Sequence, residues 1–286
     1  MDYEMKTIKQ FRLNIKNTFM KKVFSNFNDF KKINLLYALF SVIILITSLA
    51  SCKKDKVEPD QIFRGAEVTM GNGKANSFFK INGTGIPLEI GFEMTMEALT
   101  GLTQDPMGPN RAFVLPLDQK ALDLTPFDHL VINWGPQGHP PIGVFNLPHF
   151  DFHLYTITLA EQMAIPPYST ATAAKIDLLP PAGFMPVSYN PDAGGIPAMG
   201  KHWSNSATIT SPFTHTLIYG SYDGQVNFVE PMVTLAVLQA GNSMSTGYAQ
   251  PEKYAKTGKW YPSKYNIYQD QQTKKYYVTL SEFIKR

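Results

Sequence analysis

A single cysteine, Cys52, stands among the 286 residues, so no disulfide can close within the chain. With that cysteine falling in a leader, the remainder has no thiol for nucleophilic or redox chemistry. No Gly-x-Ser-x-Gly elbow occurs, and no glycine loop of the phosphate-cradling kind. Internal repeats and low-complexity tracts are also missing. A surplus of positive charge is absent where it would count. Of the 26 basic and 23 acidic residues, eight and three lie in the first 52, which leaves 18 against 20 beyond them, a net of −2. The overall charge of +3 is therefore a property of the leader. Nothing electrostatic favours a nucleic-acid partner.

What is present begins with that leader. Lys6, Lys9, Arg12, Lys16, Lys21, Lys22, Lys31 and Lys32 precede an apolar run at 33–50, a positive n-region followed by an h-region. The run has about the length of a membrane-spanning helix. Leu49-Ala50-Ser51-Cys52 resembles the lipobox of bacterial lipoproteins. That resemblance implies cleavage before Cys52 and lipidation of its thiol, with residues 1–52 as signal peptide; an uncleaved membrane anchor is the alternative. The n-region is long, and Met20-Lys21-Lys22 reads like an ordinary start. Residues 53–61 are charged, contain Pro59, and read as a flexible tether. Lys53 follows the cysteine where an Asp would signal retention, which by resemblance to sorting patterns implies the outer membrane, on either leaflet. The expected location is thus the cell envelope, with the membrane a partner through the lipid.

Residues 62–286 read as a single exported domain, mainly β with some α: an antiparallel sheet or barrel-like sandwich with one or two short helices and a long Pro/Gly-rich loop. Residues 75–81 run through Asn82-Gly83 into 87–92, a hairpin signal. Further strands fall at 111–117 and 129–134, where Val, Ile, Leu and aromatics concentrate. A helix is expected from Met94-Thr95 to Gly101, and another over 159–165 before Pro166-Pro167. Residues 166–200 hold seven prolines and four glycines. A loop of that length calls for a function or for a linker role; it reads as an ordered lid or rim, with a floppy linker as the alternative. Strands at 213–220 and 225–230 flank Ser221-Tyr222-Asp223-Gly224, a second hairpin signal. The tyrosine-rich tail, 254–286, is expected to cover sheet edges with its hydroxyls in water.

The organising stretch is 148–155. Read as a strand, it sets His149, Asp151, His153 and Tyr155 on one face and Phe150, Phe152 and Leu154 on the other. Side chains two apart on a strand stand roughly 6.6 Å apart and those four apart roughly 13 Å, so the three polar residues cannot share one ion without a bulge or strong twist. Further ligands must come from other segments. His139 on the preceding turn, His202 in the loop before Trp203, and Glu230 on an otherwise apolar face are the candidates. His215 reads as a satisfied core histidine and His129 as a surface residue at a strand start. Histidine and carboxylate without thiolate suit a divalent transition metal, zinc ahead of copper, iron, nickel and manganese. Cupins are the nearest analogy, but here Asp151 separates the two histidines and no second matching motif follows. Hydrolysis by metal-activated water stays open.

Gly138-His139-Pro140-Pro141, Pro148-His149-Phe150-Asp151-Phe152-His153, Met199-Gly200-Lys201-His202-Trp203, Tyr219-Gly220-Ser221-Tyr222-Asp223-Gly224 and Phe228-Val229-Glu230-Pro231-Met232 together resemble the TTHB-like family of bacterial exported proteins, a domain of unknown function. The resemblance covers most of the domain and implies a β-rich fold, with no activity attached. Pro140 stands where the family pattern has an acidic residue after Gly-His, which weakens the case for His139. Two further readings compete with metal binding: a small-ligand or homo-oligomeric assembly protein using the same polar face, and a structural lipoprotein whose histidines only satisfy one another.

Overall fold

A computed structural model describes residues 58–286 and, apart from them, Lys21. The segment expected to be a signal peptide, apart from Lys21, together with Cys52 and most of the expected tether, lies outside the described residues. Four strands open the domain: β1 (Gln61–Arg64), β2 (Val68–Met70), β3 (Gly73–Ile81) and β4 (Pro87–Thr95). Seven occupy its middle: β5 (Ala112–Pro116), β6 (His129–Gly135), β7 (His149–Tyr155), β8 (Asn190–Pro191), β9 (Lys201–Ser204), β10 (His215–Tyr222) and β11 (Gln225–Thr234). Three close it: β12 (Met244–Gly247), β13 (Trp260–Asp270) and β14 (Lys275–Lys285). The outer groups form one antiparallel sheet, ordered β1-β3-β4-β14-β13-β12 with β2 also on β3. The middle group forms the second, ordered β5-β6-β7-β11-β10-β9-β8. Neither order returns to its start, so the expected β-rich architecture takes the form of a sandwich and not a closed barrel. Among the described residues no helix is long and apolar enough to cross a membrane.

The core lies between the sheets, and alternation along β7 decides how the second sheet faces it. Phe150, Phe152 and Leu154 point inward, and the Phe152 ring lies 5.0 Å from Phe92 of the first sheet. Leu130, Ile132 and Trp134 of β6 and Val229 and Val233 of β11 join them against Ile90, Met94, Val278 and Leu280. Fully burying one such side chain contributes about 1.5–3 kcal/mol. The same period leaves the opposite face of β7 directed away from the sandwich.

Local chemistry explains the connections. Asn82 Oδ1 accepts from the backbone N–H of Thr84 and of Ile86, closing the β3–β4 hairpin as a wider turn than a two-residue one. Thr158 and Glu161 form a capping box that starts a short helix, Leu159–Met163. Three more short helices, Gln119–Leu124, Ala173–Ile176 and Leu235–Ala240, exceed the one or two expected. Each is six residues or fewer, too short to show a helical period in sequence.

Three expectations need correction. The helix expected from Met94 is instead the end of β4 followed by a single 3-10 turn, Met96–Leu99. Met94 pairs with Ala75 on one side and Tyr276 on the other, so ladder pairing in a central strand overrides local propensity. His129 is buried, not on the surface. Its Nδ1 meets Asp128 at 3.0 Å, its Nε2 meets Gln162 at 2.7 Å, and its ring stacks on Tyr155. The tail tyrosines are not simply wet at their tips: Tyr277 donates to buried Glu93 at 3.0 Å and Tyr265 meets His215 at 2.8 Å.

Candidate metal centre

The outward face of the second sheet is where the sequence candidates meet. Residues of β7 alternate outward as His149, Asp151, His153 and Tyr155. The register of β7 with β11 holds on either side of Pro231 and sets Glu230 opposite His153 and Met232 opposite Asp151. Gly220 of β10 faces Phe228 on one side and His202 of β9 on the other, which carries His202 towards Glu230. A Cβ at position 220 would lie 2.0 Å from the Phe228 ring, so only glycine lets that ring lie over β10. Phe228 then packs edge-on to His153 and His202, at 4.8 and 5.5 Å. His139 arrives from the loop after β6. Gly138, at φ +68°, makes the turn; a Cβ there would meet the Phe145 carbonyl at 1.9 Å.

All six candidates come together as two triads: His139, His149 and Asp151, and His153, His202 and Glu230. Within each triad the ligand atoms lie within 4.8 Å of one another, and each could hold a metal ion. His149 Nε2 stands 3.0 Å from Asp151 Oδ1, and His139 Nε2 3.7 Å from Asp151 Oδ2. His153 Nε2 stands 3.1 Å and His202 Nε2 3.7 Å from Glu230 Oε2.

These short separations are not hydrogen bonds. His149 Nε2, Asp151 Oδ1, both ring nitrogens of His153 and Glu230 Oε2 are buried and have no hydrogen-bond partner. An orphaned buried polar atom costs about 1–3 kcal/mol, and a metal ion at each triad would satisfy four of the five, all but one nitrogen of His153. Metal–ligand bonds of about 2.0–2.2 Å put neighbouring donor atoms roughly 3.0–3.5 Å apart in a tetrahedral or octahedral shell. The 3.0 and 3.1 Å separations fall in that range, and the two 3.7 Å separations lie just beyond it. The second nitrogens of His149 and His139 fit as well. His149 Nδ1 meets the Leu147 carbonyl at 2.7 Å and His139 Nδ1 the Pro140 carbonyl at 2.8 Å. Each bond assigns the proton to Nδ1 and leaves Nε2 as a lone-pair donor, the arrangement that orients ligating histidines.

Electrostatics couples the set. Burial works to raise the Asp151 pKa, but the His149 and His139 rings outweigh it and hold the carboxyl well below its usual range. Burial opposes charge on His139 too, yet the Asp151 carboxylate, the Pro140 carbonyl and the Glu230 charge raise that ring to about 9. Burial dominates at His202 and pushes its pKa down.

A cavity of about 660 Å³ opens over both triads, lined by His139, Asp151, His202 and Glu230. Two small apolar clusters flank the ligands. Phe145, Phe213, Ile218 and Met232 form one, and Val131, Tyr155 and Phe228 the other. The proline-rich loop supplies a wall through residues 192–196 and Met199, as a rim should. It is fixed by Lys201, whose Nζ donates to the Asp192 and Gly194 carbonyls and pairs with Asp177 at 2.9 Å. A smaller cavity of about 350 Å³, lined by Phe127, Phe184, Tyr219 and Tyr254, offers no comparable donor set. The Tyr219 and Tyr248 hydroxyls there already donate to the Ala249 and Pro262 carbonyls.

His215 lies apart, half-buried against Tyr265 between the sheets, as a satisfied histidine. Two cavity residues carried no sequence signal. Arg111 and Asn133 both line the cavity, and each has a buried polar atom, Nε and Oδ1, without a hydrogen-bond partner. Neither belongs to a run of ligand-type residues, so only strand pairing reveals them.

Fold and site together define a two-sheet antiparallel sandwich with a histidine–carboxylate face on its second sheet, walled on one side by the proline-rich loop. Comparison with protein-family models, curated proteins and solved structures finds no match for the chain.

Proposed function

We propose that this protein is a lipid-anchored envelope protein, held at the outer membrane through Cys52, whose β-sandwich domain binds a divalent transition metal, zinc foremost. The observation that carries the metal reading is the cluster of buried imidazole and carboxylate lone pairs that converge at 3.0–3.1 Å without hydrogen-bonding. The lipobox-like Leu49-Ala50-Ser51-Cys52 supports the anchor, and the resemblance of the motif set to the TTHB-like family supports an exported domain. Zinc accepts mixed nitrogen and oxygen donors, which suits two triads that each offer two imidazoles and one carboxylate.

The test is elemental analysis of the full chain purified in detergent without chelator. Stoichiometric transition metal is expected. A chain that carries none, and gains no thermal stability from zinc, copper, nickel, manganese or iron, would refute the metal reading. For the anchor, Cys52→Ala should accumulate as an unprocessed precursor; normal maturation and localisation of that variant would refute lipidation.

A further inference from the structure

Two triads rather than one, in a single cavity, raise a question about what lies between them. Asp151 and His153 are one strand repeat apart, a step of roughly 6.6 Å, and each anchors a different triad. The ions would be too close to ignore each other's charge. Triads spaced on that scale suit a bridge longer than one oxygen atom, which spans only about 4 Å, twice a metal–oxygen bond. A three-atom O–P–O or O–C–O bridge reaches further.

Charge points the same way. Four neutral imidazoles and the carboxylates of Asp151 and Glu230 would face two divalent ions. Arg111 lines the same cavity and stays cationic at any physiological pH. That leaves three uncompensated positive charges, of which Asp192 on the rim, already accepting from Ser204 at 2.8 Å, offsets one. Lys201 adds nothing to the surplus because Asp177 neutralises it. Arg111, by contrast, makes no ion pair among the described residues, and its buried Nε lacks a partner.

Asn133 completes the set. Its register places it opposite Asp151 on the outward face, and its amide oxygen is buried without a partner. Oxygen and nitrogen of a side-chain amide are interchangeable by a flip, and the flipped amide presents an N–H instead. A ligand with several anionic oxygens would satisfy Arg111 and Asn133 as well as the ions.

Resting on the metal-binding reading above, we infer that the two triads form one two-ion centre, and that the cavity binds an oxyanion, a phosphate or carboxylate group, across both ions with Arg111 as its clamp. The ions supply Lewis acidity and Arg111 supplies directional N–H donors matched to planar or tetrahedral oxygens.

Three measurements on the full chain in detergent test this. Metal content should reach two ions per chain, falling to one in Asp151→Asn and to one in Glu230→Gln. Calorimetric titration of the metal-loaded chain with inorganic phosphate, and separately with acetate, should show binding of at least one. That binding should vanish on chelation and weaken at least 10-fold in Arg111→Gln. Phosphate alone assigns a phosphoryl ligand and acetate alone a carboxylate. Should Arg111→Gln fail to fold, broadening of the phosphorus NMR signal by manganese-loaded wild type, with and without competing acetate, gives the contact without a variant. A single ion per chain overturns the two-ion centre while leaving metal binding intact; a chain with none overturns both. Two ions with neither anion bound, or anion binding unchanged in a folded Arg111→Gln, overturns the oxyanion site.

Discussion

Glu230 Oε2 lies 3.1 Å from His153 Nε2 across two neighbouring strands, and no hydrogen bond joins them. Both side chains are almost wholly buried, at 2% and 0% exposure. One metal ion between them would satisfy both atoms. His153→Ala should therefore lose most bound metal with the fold retained. Glu230→Gln should weaken affinity by more than the roughly 10- to 100-fold expected of a group that merely supports a ligand. His129→Ala, which strips the partner from Gln162, should lower stability by about 1–3 kcal/mol and keep the metal. Metal analysis beside denaturant titration separates these results; equal metal content in all three variants would sink the assignment.

Metal binding should release protons. The Asp151 carboxylate, against the opposing effect of burial, raises the metal-free His139 ring to about 9, so at neutral pH it carries a proton that ligation must expel. Affinity should then rise as pH increases towards 9 and fall on acidification. Calorimetry in buffers of different ionisation enthalpy reads the proton count directly. About one proton per ion bound at this triad is expected near pH 7, and none in His139→Ala.

Phe152 is a structural residue. It is fully buried and bridges the two sheets through Phe92. Phe152→Ala should cost about 3–5 kcal/mol. A loss below about 1 kcal/mol in guanidinium unfolding would mean that the faces of β7 are assigned the wrong way round.

Acid should weaken the first sheet. Glu93 is buried; Arg64 meets it at 2.8 Å, and Lys275 and Tyr277 also donate to it. Burial favours its neutral form, but those donors win and lower its pKa below the ordinary 4.5. The unfolded chain therefore binds the proton more readily. The stabilisation is present above about pH 4.5 and is lost as pH falls through the lower folded value. Glu93→Gln should remove that acid dependence and, by weakening the charge-assisted hydrogen bonds from Arg64 and Lys275, lower stability at pH 7 by about 1–3 kcal/mol. Melting curves of both proteins from pH 3 to about 7 test the sign.

Alternation made much of this protein legible from its sequence. A period of two is local: it requires only neighbouring residues, and it separated the Phe150, Phe152 and Leu154 face from the His149, Asp151 and His153 face without any knowledge of partners. The same local reading selected His139, His202 and Glu230 as candidates and marked the proline-rich loop as a rim. Pairing is not local. That Glu230 faces His153, that Gly220 brings His202 alongside, and that six ligands divide into two triads depend on register between segments up to about ninety residues apart. Register is fixed by which apolar faces can be buried together, a property of the whole sandwich. Arg111 and Asn133 look ordinary in the sequence, and burial of His129 depends on Gln162 and Tyr155 arriving from elsewhere in the chain. The residue types that could bind a metal were set by the chain; the tertiary structure alone decided which atoms converge, because convergence across strands is paid for by the burial of the opposite face.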